Sequence, residues 1–271
     1  MSSSVSEDLA SRARISAVRA VHIGKTSHIG SSLSMIDILS VWYGGVANVS
    51  PTNLDDPERD VIIVSKGHAA AGTYAVMANA GIIPLNWLAD YCADGSHLGG
   101  HVTSHGIPGV ELSTGSLGHG LPVGLGVALA AKRSGNPRRV FVLMSDGECD
   151  EGTTWESALI ANHHGLDNVV VAVDRNRLQS LADTEDTLRL EPFAEKWRAF
   201  GWHVSEIDGH DHVALEQAFS ADIDTHGKPR IVICDTTKGR GVSFMENQVL
   251  WHYRSPNDEQ LDLALAELAG Q

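Results

Sequence analysis

The sequence predicts an α/β fold in which a mostly parallel sheet is flanked by helices. Two apolar runs of buried-strand character indicate this fold, Val140 to Met144 and Val169 to Val173, with an amphipathic segment between them. Each run ends abruptly in polar residues, the first at Asp146-Gly147 and the second at Asn176. Such strand–helix–strand units pair their strands in parallel and place ligands at the carboxyl ends of the strands. We expect one domain covering residues 1–271, because this length can bury one substantial core.

Hydrophobic periodicity assigns the other elements in chain order. The predicted helices cover residues 5–23, 33–42, 69–80, 114–133, 191–200, 211–219 and 258–269. The remaining predicted strands cover residues 60–64, 202–207 and 231–236. Between the two apolar runs, the helical spacing of Trp155, Ala158, Leu159 and Ala161 predicts one more helix.

Composition limits the partners and the compartment. Twenty basic residues against 34 acidic ones give a formal net charge of −14, which argues against a nucleic-acid or anionic-membrane surface. The three cysteines, Cys92, Cys149 and Cys234, lie far apart and form no CxxC motif, so we expect a reducing compartment without structural disulfides. No apolar run approaches the length of a membrane span, and the N-terminus lacks the apolar core of a signal peptide. We therefore expect a cytoplasmic protein.

The ends of the predicted strands are rich in oxygen ligands. Asp146 supplies a carboxylate, Asn176 supplies an amide oxygen thirty positions later, and the turn after Asn176 exposes main-chain carbonyls. Hard cations such as Mg²⁺ or Ca²⁺ prefer such ligands, and Mg²⁺ often binds together with phosphates. Gly147 lets the backbone approach a phosphate closely. Lys238 follows the last strand beside two glycines and can neutralise a diphosphate.

These motifs resemble those of a known enzyme family. The spacing from Asp146-Gly147 to Asn176 is similar to the diphosphate motif of thiamine-diphosphate enzymes, and the surrounding segments SDGECDEG and LDNVVVAVDRNRL resemble transketolase. The resemblance implies a thiamine-diphosphate-binding fold. It also implies that Asp146, Asn176 and the carbonyl of Leu178 hold Mg²⁺, with Ca²⁺ or Mn²⁺ as substitutes.

The resemblance also assigns roles to four histidines. His68 lies in SKGHA, His28 in a loop of small residues, His101 after Gly100, and His252 after Trp251. In the family such histidines line the substrate channel, position sugar hydroxyls and shuttle protons, as general acid–base groups near neutral pH. His68 also contacts the thiamine. The spacing of His97, His101 and His105 can bind zinc on a helix, but the glycines within that segment oppose a helix.

The cofactor cleft of the family has a glycine-rich wall, to which Gly115 and Leu117 correspond here. This chain departs from the usual family pattern at four positions: Ser27 and Ser145 stand in place of glycine, His119 in place of glutamine, and Tyr253 in place of glycine. None of these departures removes an implied metal ligand or one of the four histidines.

The parts of the family that the sequence lacks imply a partner chain. Full-length transketolases continue into a pyrimidine-binding domain, which carries the glutamate that activates the cofactor and most arginines that bind sugar phosphate, and into a C-terminal domain. We therefore expect an N-terminal subunit of a two-chain transketolase, paired with a C-terminal subunit in an α2β2 assembly. Glu151 and Glu156 are implied to lie at the interface, near the cofactor and the partner's glutamate. The implied reaction transfers a two-carbon ketol unit from a ketose to an aldose.

Three alternatives stay open at this point. Another thiamine-diphosphate enzyme, such as a dehydrogenase E1 subunit or a specialised synthase, would share Asp146 and Asn176. A nicotinamide-binding Rossmann domain would need a GxGxxG after an early strand, which is not present. A non-catalytic regulatory partner is the third alternative, although the implied metal ligands are intact.

Overall fold

The structure, a computed structural model, describes residues 3–270 and contains a five-stranded sheet. All neighbouring strands pair in parallel, in the order β1-β2-β3-β5-β4. The strands are β1 (Val61–Val64), β2 (Val140–Ser145), β3 (Val169–Arg175), β4 (His203–Asp208) and β5 (Arg230–Asp235). The predicted α/β fold with a parallel sheet is therefore confirmed.

Helices cover both faces of this sheet. The α-helices are α1 (Ser3–Gly24), α2 (Ile29–Ser34), α3 (Ile36–Val41), α4 (Ala70–Asn79), α5 (Gly120–Ser134), α6 (Gly152–His163), α7 (Thr184–Thr187), α8 (Phe193–Ala199), α9 (His212–Phe219) and α10 (Asp258–Ala269). One π-helical turn, Trp42–Val46, follows α3. Short 3₁₀ turns lie at Gly67–Ala69, Leu85–Asp90, Gly147–Asp150 and Val249–His252.

Two apolar cores, one on each face, explain why the central strands are apolar throughout. On one face, Phe141 and Leu143 pack with residues of α1, α2, α3, α4, α9 and α10. On the other, Val140, Val142 and Met144 pack with residues of α5, α6 and α8. A strand that is buried on both faces shows no alternation of polar and apolar residues, which is the pattern of β2 and β3.

The helix predicted over residues 33–42 is wrong in its bounds. The structure has two short helices there, and the first begins at Ile29, inside the segment predicted as a loop. Every residue of α2 is buried, including its glycine and serines. Tertiary packing thus overrides the low helix propensity of these small residues.

Two further expectations are corrected. The helix predicted from Thr114 begins only at Gly120, because Gly115 and Gly118 adopt φ values of +155° and +81°, which no α-helix contains. The spacing predicts Leu159 on the apolar face of α6, but its side chain is 58% exposed, whereas Ala158 and Ala161 are buried. The other predicted helices and strands are confirmed to within a few residues at their ends.

The topology gathers the polar loops at one edge of the sheet. The carboxyl ends of β1, β2, β3 and β5 lie side by side, as the register of Val64 with Leu143 and of Ser145 with Asp174 shows. The loops that follow carry the residues predicted to bind a ligand, which is the arrangement expected of a parallel sheet. Among the residues described, no helix is both long and apolar enough to cross a membrane.

Candidate active site

A cavity of about 200 Å³ opens at this carboxyl edge. Most of the predicted site residues line it, although they come from segments far apart in the sequence. The lining residues are His28, Ser31, His68, Gly115, Leu117, Ser145, Asp146, Gly147, Asn176, Leu178, Gln179, Ser180, Lys238 and His252.

Asp146 provides a buried carboxylate at the floor of the cavity. Its side chain accepts hydrogen bonds from the backbone N–H groups of Gly147 (2.8 Å) and Arg177 (2.7 Å), and the guanidinium of Arg175 lies 3.4 Å away. Burial and the neighbouring charge of Asp174 raise the pKa of Asp146, against the opposing effect of Arg175. The carboxylate is therefore short of compensating charge, which is the situation that a bound cation relieves.

Two further oxygens complete what we call the oxygen set: the Asp146 carboxylate, the Asn176 side-chain oxygen and the Leu178 carbonyl. The Asn176 amide is oriented by its own contacts, since Nδ2 donates to Asp174 (3.2 Å) while Oδ1 accepts from the Leu178 N–H (3.1 Å). An oxygen-only set suits Mg²⁺, so the donors present fit that ion. Among residues 3–270 there is no cluster of three His, Cys, Asp or Glu side chains that could hold a metal, and this set contains only one such side chain.

Two lysine ammonium groups give the cavity positive charge. Lys238 donates to the carbonyls of Leu178 (2.8 Å) and Gln179 (3.2 Å), and its Nζ lies 3.2 Å from Nδ1 of His252. Lys66 is fully buried behind it and pairs with Asp174. Burial and the charge of Lys66 lower the pKa of Lys238 to about 8. An ammonium held in this way is stabilised by an anion, so the cavity fits a diphosphate group.

The four predicted histidines come together, and we call them the histidine cluster: His28, His68, His101 and His252. The ring centroid of His28 lies 5.3 Å from that of His68, 5.8 Å from that of His101 and 4.8 Å from that of His252. His101 is exposed and packs over Gly115, where an added Cβ would approach its Cδ2 to 2.9 Å. The cluster thus gathers four imidazoles, three of which line the same cavity as the oxygen set.

Three imidazoles of this cluster, those of His28, His68 and His252, are neutral at pH 7 in the chain itself. Burial, followed by the charge of His101 and the lysines, lowers the pKa of His28 to about 4. Burial and Lys238 lower the pKa of His252 to about 3, and burial and Lys66 hold that of His68 well below its ordinary value. The sequence analysis expects these histidines to gain and lose protons near neutral pH. In the chain without a bound anion, these three rings do not do so. Neutral rings can each donate one hydrogen bond and accept another.

Glu151 and Glu156 do not line the cavity. Both side chains are exposed, at the start of α6 and one turn into it. Instead, the acid that the structure places behind the cavity is Glu148, which is fully buried. It accepts hydrogen bonds from Ser65 and from the backbone N–H of Gly118 (2.8 Å), so it fixes the glycine-rich wall to the end of β1.

Sequence reasoning missed Glu148, Lys66 and Asp174. Each lies within two residues of a predicted site residue, so the signal available was a charged residue inside a motif already recognised. Their roles depend on partners from other segments, such as the pairing of Lys66 with Asp174 across 108 positions.

The structure also locates the other residues that the sequence analysis considered. His97 stacks on Trp87 with the ring centroids 4.1 Å apart, and His105 is exposed in a turn, so neither joins His101 in a metal cluster. Burial raises the pKa of the Cys149 thiol well above its ordinary value, which leaves it unreactive. Tyr253 is 53% exposed and packs its ring beside that of His252, 5.0 Å away.

The residues that depart from the usual family pattern lie close to the site. The Ser27 hydroxyl lies 2.9 Å from Nδ1 of His28, Ser145 lines the cavity, and exposed His119 contacts the carbonyl of Leu117 through Nδ1 at 3.0 Å. Ser27 therefore borders the histidine cluster, His119 borders the glycine-rich wall, and Ser145 faces the cavity itself.

Residues 5–265 match the family model described as transketolase, thiamine diphosphate binding domain. The chain belongs to the transketolase family. This family assignment confirms the resemblance found in the sequence and the transketolase interpretation, over a nicotinamide-binding fold or another class of thiamine-diphosphate enzyme.

Proteins named as single components of transketolases are among the relatives. The chain is 46% identical over 241 residues to one such component, of the apulose-4-phosphate transketolase of Actinobacillus succinogenes, covering 89% of this chain and 87% of that protein. It is 36% identical over 248 residues to 6-deoxy-6-sulfo-D-fructose transketolase subunit SqwG of a Clostridium species, covering 91% and 90%. The solved transketolase from Leishmania mexicana superposes with a TM-score of 0.88 at 28% identity, covering 97% of this chain. The match spans 41% of that structure's length.

Proposed function

We propose that this chain is the diphosphate-binding subunit of a two-chain transketolase that moves a two-carbon ketol unit from a ketose to an aldose. The observation that carries the proposal is one cavity lined by the oxygen set, by Lys238 and by three histidines, His28, His68 and His252, with His101 packed against His28. The oxygen set offers ligands for a metal, Lys238 offers a positive charge for an anion, and the histidines offer hydrogen-bonding partners for hydroxyl groups.

The proposed cofactors are thiamine diphosphate and Mg²⁺, for which Ca²⁺ or Mn²⁺ can substitute. Asp146, Asn176 and Leu178 would hold the metal, while Lys238, Gly147 and the wall at Gly115 and Leu117 would face the diphosphate. When bound, thiamine diphosphate stabilises the carbanion that ketol transfer requires. The chain's own contribution is to bind and orient the reacting groups and to exclude water.

We propose that the histidine cluster recognises the sugar by hydrogen bonding to its hydroxyl groups. His28, His68 and His252 are neutral and partly buried, so each ring has one donor nitrogen and one acceptor nitrogen. In His252 the acceptor Nδ1 faces the Lys238 ammonium, which leaves the Nε2–H to donate to a hydroxyl. His101 stands at the exposed rim, where an incoming substrate meets the cavity first. A diphosphate bound nearby would raise the basicity of these rings and favour proton transfer.

The proposed partner is a C-terminal transketolase subunit that carries the activating glutamate. Two relatives named as transketolase subunits are matched over 87% and 90% of their own lengths, which supports a chain of the same kind. Exposed Glu151 and Glu156 would face the partner, close to the bound cofactor, in an α2β2 assembly. A cytoplasmic location fits the free cysteines at Cys92, Cys149 and Cys234.

The proposed donor is a ketose with an anionic group at its far end. The two named relatives act on apulose 4-phosphate and on 6-deoxy-6-sulfo-D-fructose, and both of these are ketoses with a terminal anion. Sugar phosphates are therefore the substrates to try first.

The test is ketol transfer from xylulose 5-phosphate, apulose 4-phosphate or sulfofructose to an aldose phosphate, with thiamine diphosphate and Mg²⁺. The chain is assayed alone and with a C-terminal transketolase subunit from the same organism. Activity in the mixture only is the expected result. Activity of the chain alone would refute the need for a partner. Cofactor binding without transfer from any of these donors would refute the substrate class.

A further inference from the structure

The backbone segment that carries Lys238 is anchored from behind by two buried carboxylates. The hydroxyl of Thr236 donates a hydrogen bond to Asp174. The next residue, Thr237, donates its backbone N–H to Nε2 of His210 over 2.8 Å. Nδ1 of that histidine lies 2.7 Å from the carboxylate of Asp37 on α3. A chain of contacts thus runs from Asp37 to the residue immediately before Lys238.

These contacts fix which nitrogen of His210 carries the proton. A backbone N–H can only donate, so Nε2 must be the unprotonated acceptor for Thr237. Nδ1 then carries the hydrogen and donates it to Asp37, in a neutral ring. A carboxylate that accepts from one ring nitrogen fixes the tautomer and the orientation of the other nitrogen.

The Asp37 end of this chain of contacts is rigid. Asp37 is buried, pairs with Arg14, and accepts a second histidine bond from Nε2 of His212 at 2.9 Å. Burial alone would raise the pKa of Asp37, but Arg14 and the two histidines hold it far below its ordinary value. Asp37 is therefore an ionised anchor.

His212 provides an internal comparison for His210. Both rings contact the same carboxylate, and both are nearly buried. The other nitrogen of His212, however, lies 2.8 Å from the hydroxyl of Ser6 on α1 and not against the segment before Lys238. The two histidines thus share the anchor, and only one of them reaches towards the cavity.

We propose that Asp37 and His210 form a positioning relay that holds Thr237 and, through it, places the Lys238 ammonium at the diphosphate end of the cavity. The inference rests on the proposed function, in which Lys238 neutralises the cofactor diphosphate. His210 is a positioning residue, because it does not line that cavity. On the other side of Lys238 the backbone turns sharply at Gly239, where φ is +83° and the N–H donates to the carbonyl of Gly30, so the relay and this turn together hold the segment that carries the lysine.

Two substitutions of His210 separate its two contacts. The side-chain end of Asn coincides with Nδ1 of histidine, so His210→Asn keeps the contact with Asp37 and loses the one with Thr237. The side-chain end of Gln coincides with Nε2, so His210→Gln keeps an acceptor for Thr237. His212→Asn is the matched control, because it removes one contact from the same carboxylate without touching the Lys238 segment.

The measurement is thiamine-diphosphate affinity in the presence of Mg²⁺, by calorimetry on the full chain and as the cofactor KM of the chain with its partner subunit. His210→Asn is expected to weaken binding about tenfold, and His210→Gln, which keeps the acceptor for Thr237 but loses the contact with Asp37, about threefold, whereas His212→Asn stays within about twofold of the wild type. Equal losses in the two Asn variants would overturn the relay and leave the proposed function standing. Absence of cofactor binding by the wild-type complex would overturn the proposed function and the relay with it.

A second measurement does not depend on the cofactor. Imidazole ¹⁵N NMR of the full chain is expected to show His210 as the Nδ1–H tautomer, with the signal identified by its loss in His210→Asn. The amide of Thr237 is expected to exchange with solvent faster in that variant than in His212→Asn. A His210 ring protonated on Nε2 would refute the relay whatever the affinities are.

Discussion

Replacing Lys66 by methionine is expected to destabilise the chain strongly. The Lys66 ammonium and the Asp174 carboxylate form an ion pair in which neither side chain has any exposed surface. Lys66→Met leaves the carboxylate with hydrogen bonds from Ser34 (2.6 Å) and Thr236 but without a counter-charge. Removing one partner of a buried pair costs about 3–5 kcal/mol, because the remaining charge stays desolvated. The loss is a large part of the total stability of roughly 5–15 kcal/mol that is usual for a folded domain.

A double-mutant cycle with Asp174→Asn measures how much the interaction between Lys66 and Asp174 contributes to the free energy of unfolding, apart from the effect of each single substitution. The double variant removes both charges and keeps one of the two acceptor oxygens, so it is expected to regain about 2–3 kcal/mol of the summed single losses. Lys132→Met is the matched control, because Lys132 pairs with Asp167 at the surface at 2.7 Å, with about 40% of its side chain exposed. An exposed pair of this kind contributes about 0–1 kcal/mol.

The loss of unfolding free energy caused by Lys66→Met is also expected to depend on pH. Burial alone would raise the pKa of Asp174, but Lys66 and the hydrogen bonds to the carboxylate hold it below its ordinary value. The native pair therefore contributes its full stabilisation above the unfolded-state pKa of about 3.9, and this stabilisation is lost below it, as the pH falls towards and through the lowered pKa of the folded state. Without Lys66 the buried carboxyl can protonate earlier, so the deficit of the variant is largest at pH 7 and narrows towards pH 4.

Urea unfolding followed by circular dichroism measures these free energies at pH 7, 5.5 and 4. A cost below about 1 kcal/mol for Lys66→Met at pH 7, equal to that of Lys132→Met, would refute the view that the pair is a buried and tightly coupled unit. A deficit that grows as the pH falls would refute the sign of the pKa argument.

Three further predictions concern the cavity and its wall. Asp146→Ala is expected to abolish metal-dependent binding of thiamine diphosphate, measured by calorimetry. The circular dichroism spectrum and the thermal midpoint are expected to stay near those of the wild type, because the buried carboxylate is short of compensating positive charge and adds little to stability. Since the pKa values of His28 and His252 lie at about 4 and 3, below the unfolded value of about 6.5, the unfolded chain binds more protons. Stability should therefore fall as the pH drops from about 6.5 towards 4, and less steeply in the His28→Asn/His252→Asn variant; an unchanged slope would contradict these shifts. Gly118→Ala is expected to cost more than about 1 kcal/mol in urea unfolding, because φ is +81° and a Cβ would lie 2.7 Å from that of Glu151.

The sheet was predictable because its signal is local. Strands buried on both faces read as continuous apolar runs, and the run in β2 stands out from its polar neighbours. The order of the strands was not predicted, since it depends on pairings such as that of β3 with β5 over some sixty positions. The helix α2 was missed for the same kind of reason, because its glycine and serines are helical only when packed beneath other elements.

The cavity was largely predictable as well, because the residues that face a ligand lie directly after strand ends. Asp146, Asn176 and Lys238 each follow an apolar run within a few positions, and the parallel fold brings these ends together. The protonation of the histidines was not predictable in this way. His28 lies in a loop and His252 ends a 3₁₀ turn, and only the structure places them near Lys238, where their pKa values are lowered.

The site contains two groups of residues: those that face the cavity, and a second layer of buried charged residues that hold the first group in place. Sequence reasoning found the first group and missed most of the second. The residues that face the cavity are marked by their place in the chain, whereas the charges that hold them have partners set by the strand order. Asp174 links the ends of β1, β3 and β5 through Lys66 and Thr236, and Asp37 reaches the loop after β5 through His210. If this division holds, substitutions in the second layer will change the affinity for the diphosphate without removing any contact to it. The His210 variants measure that effect without disturbing the ion pair of Lys66.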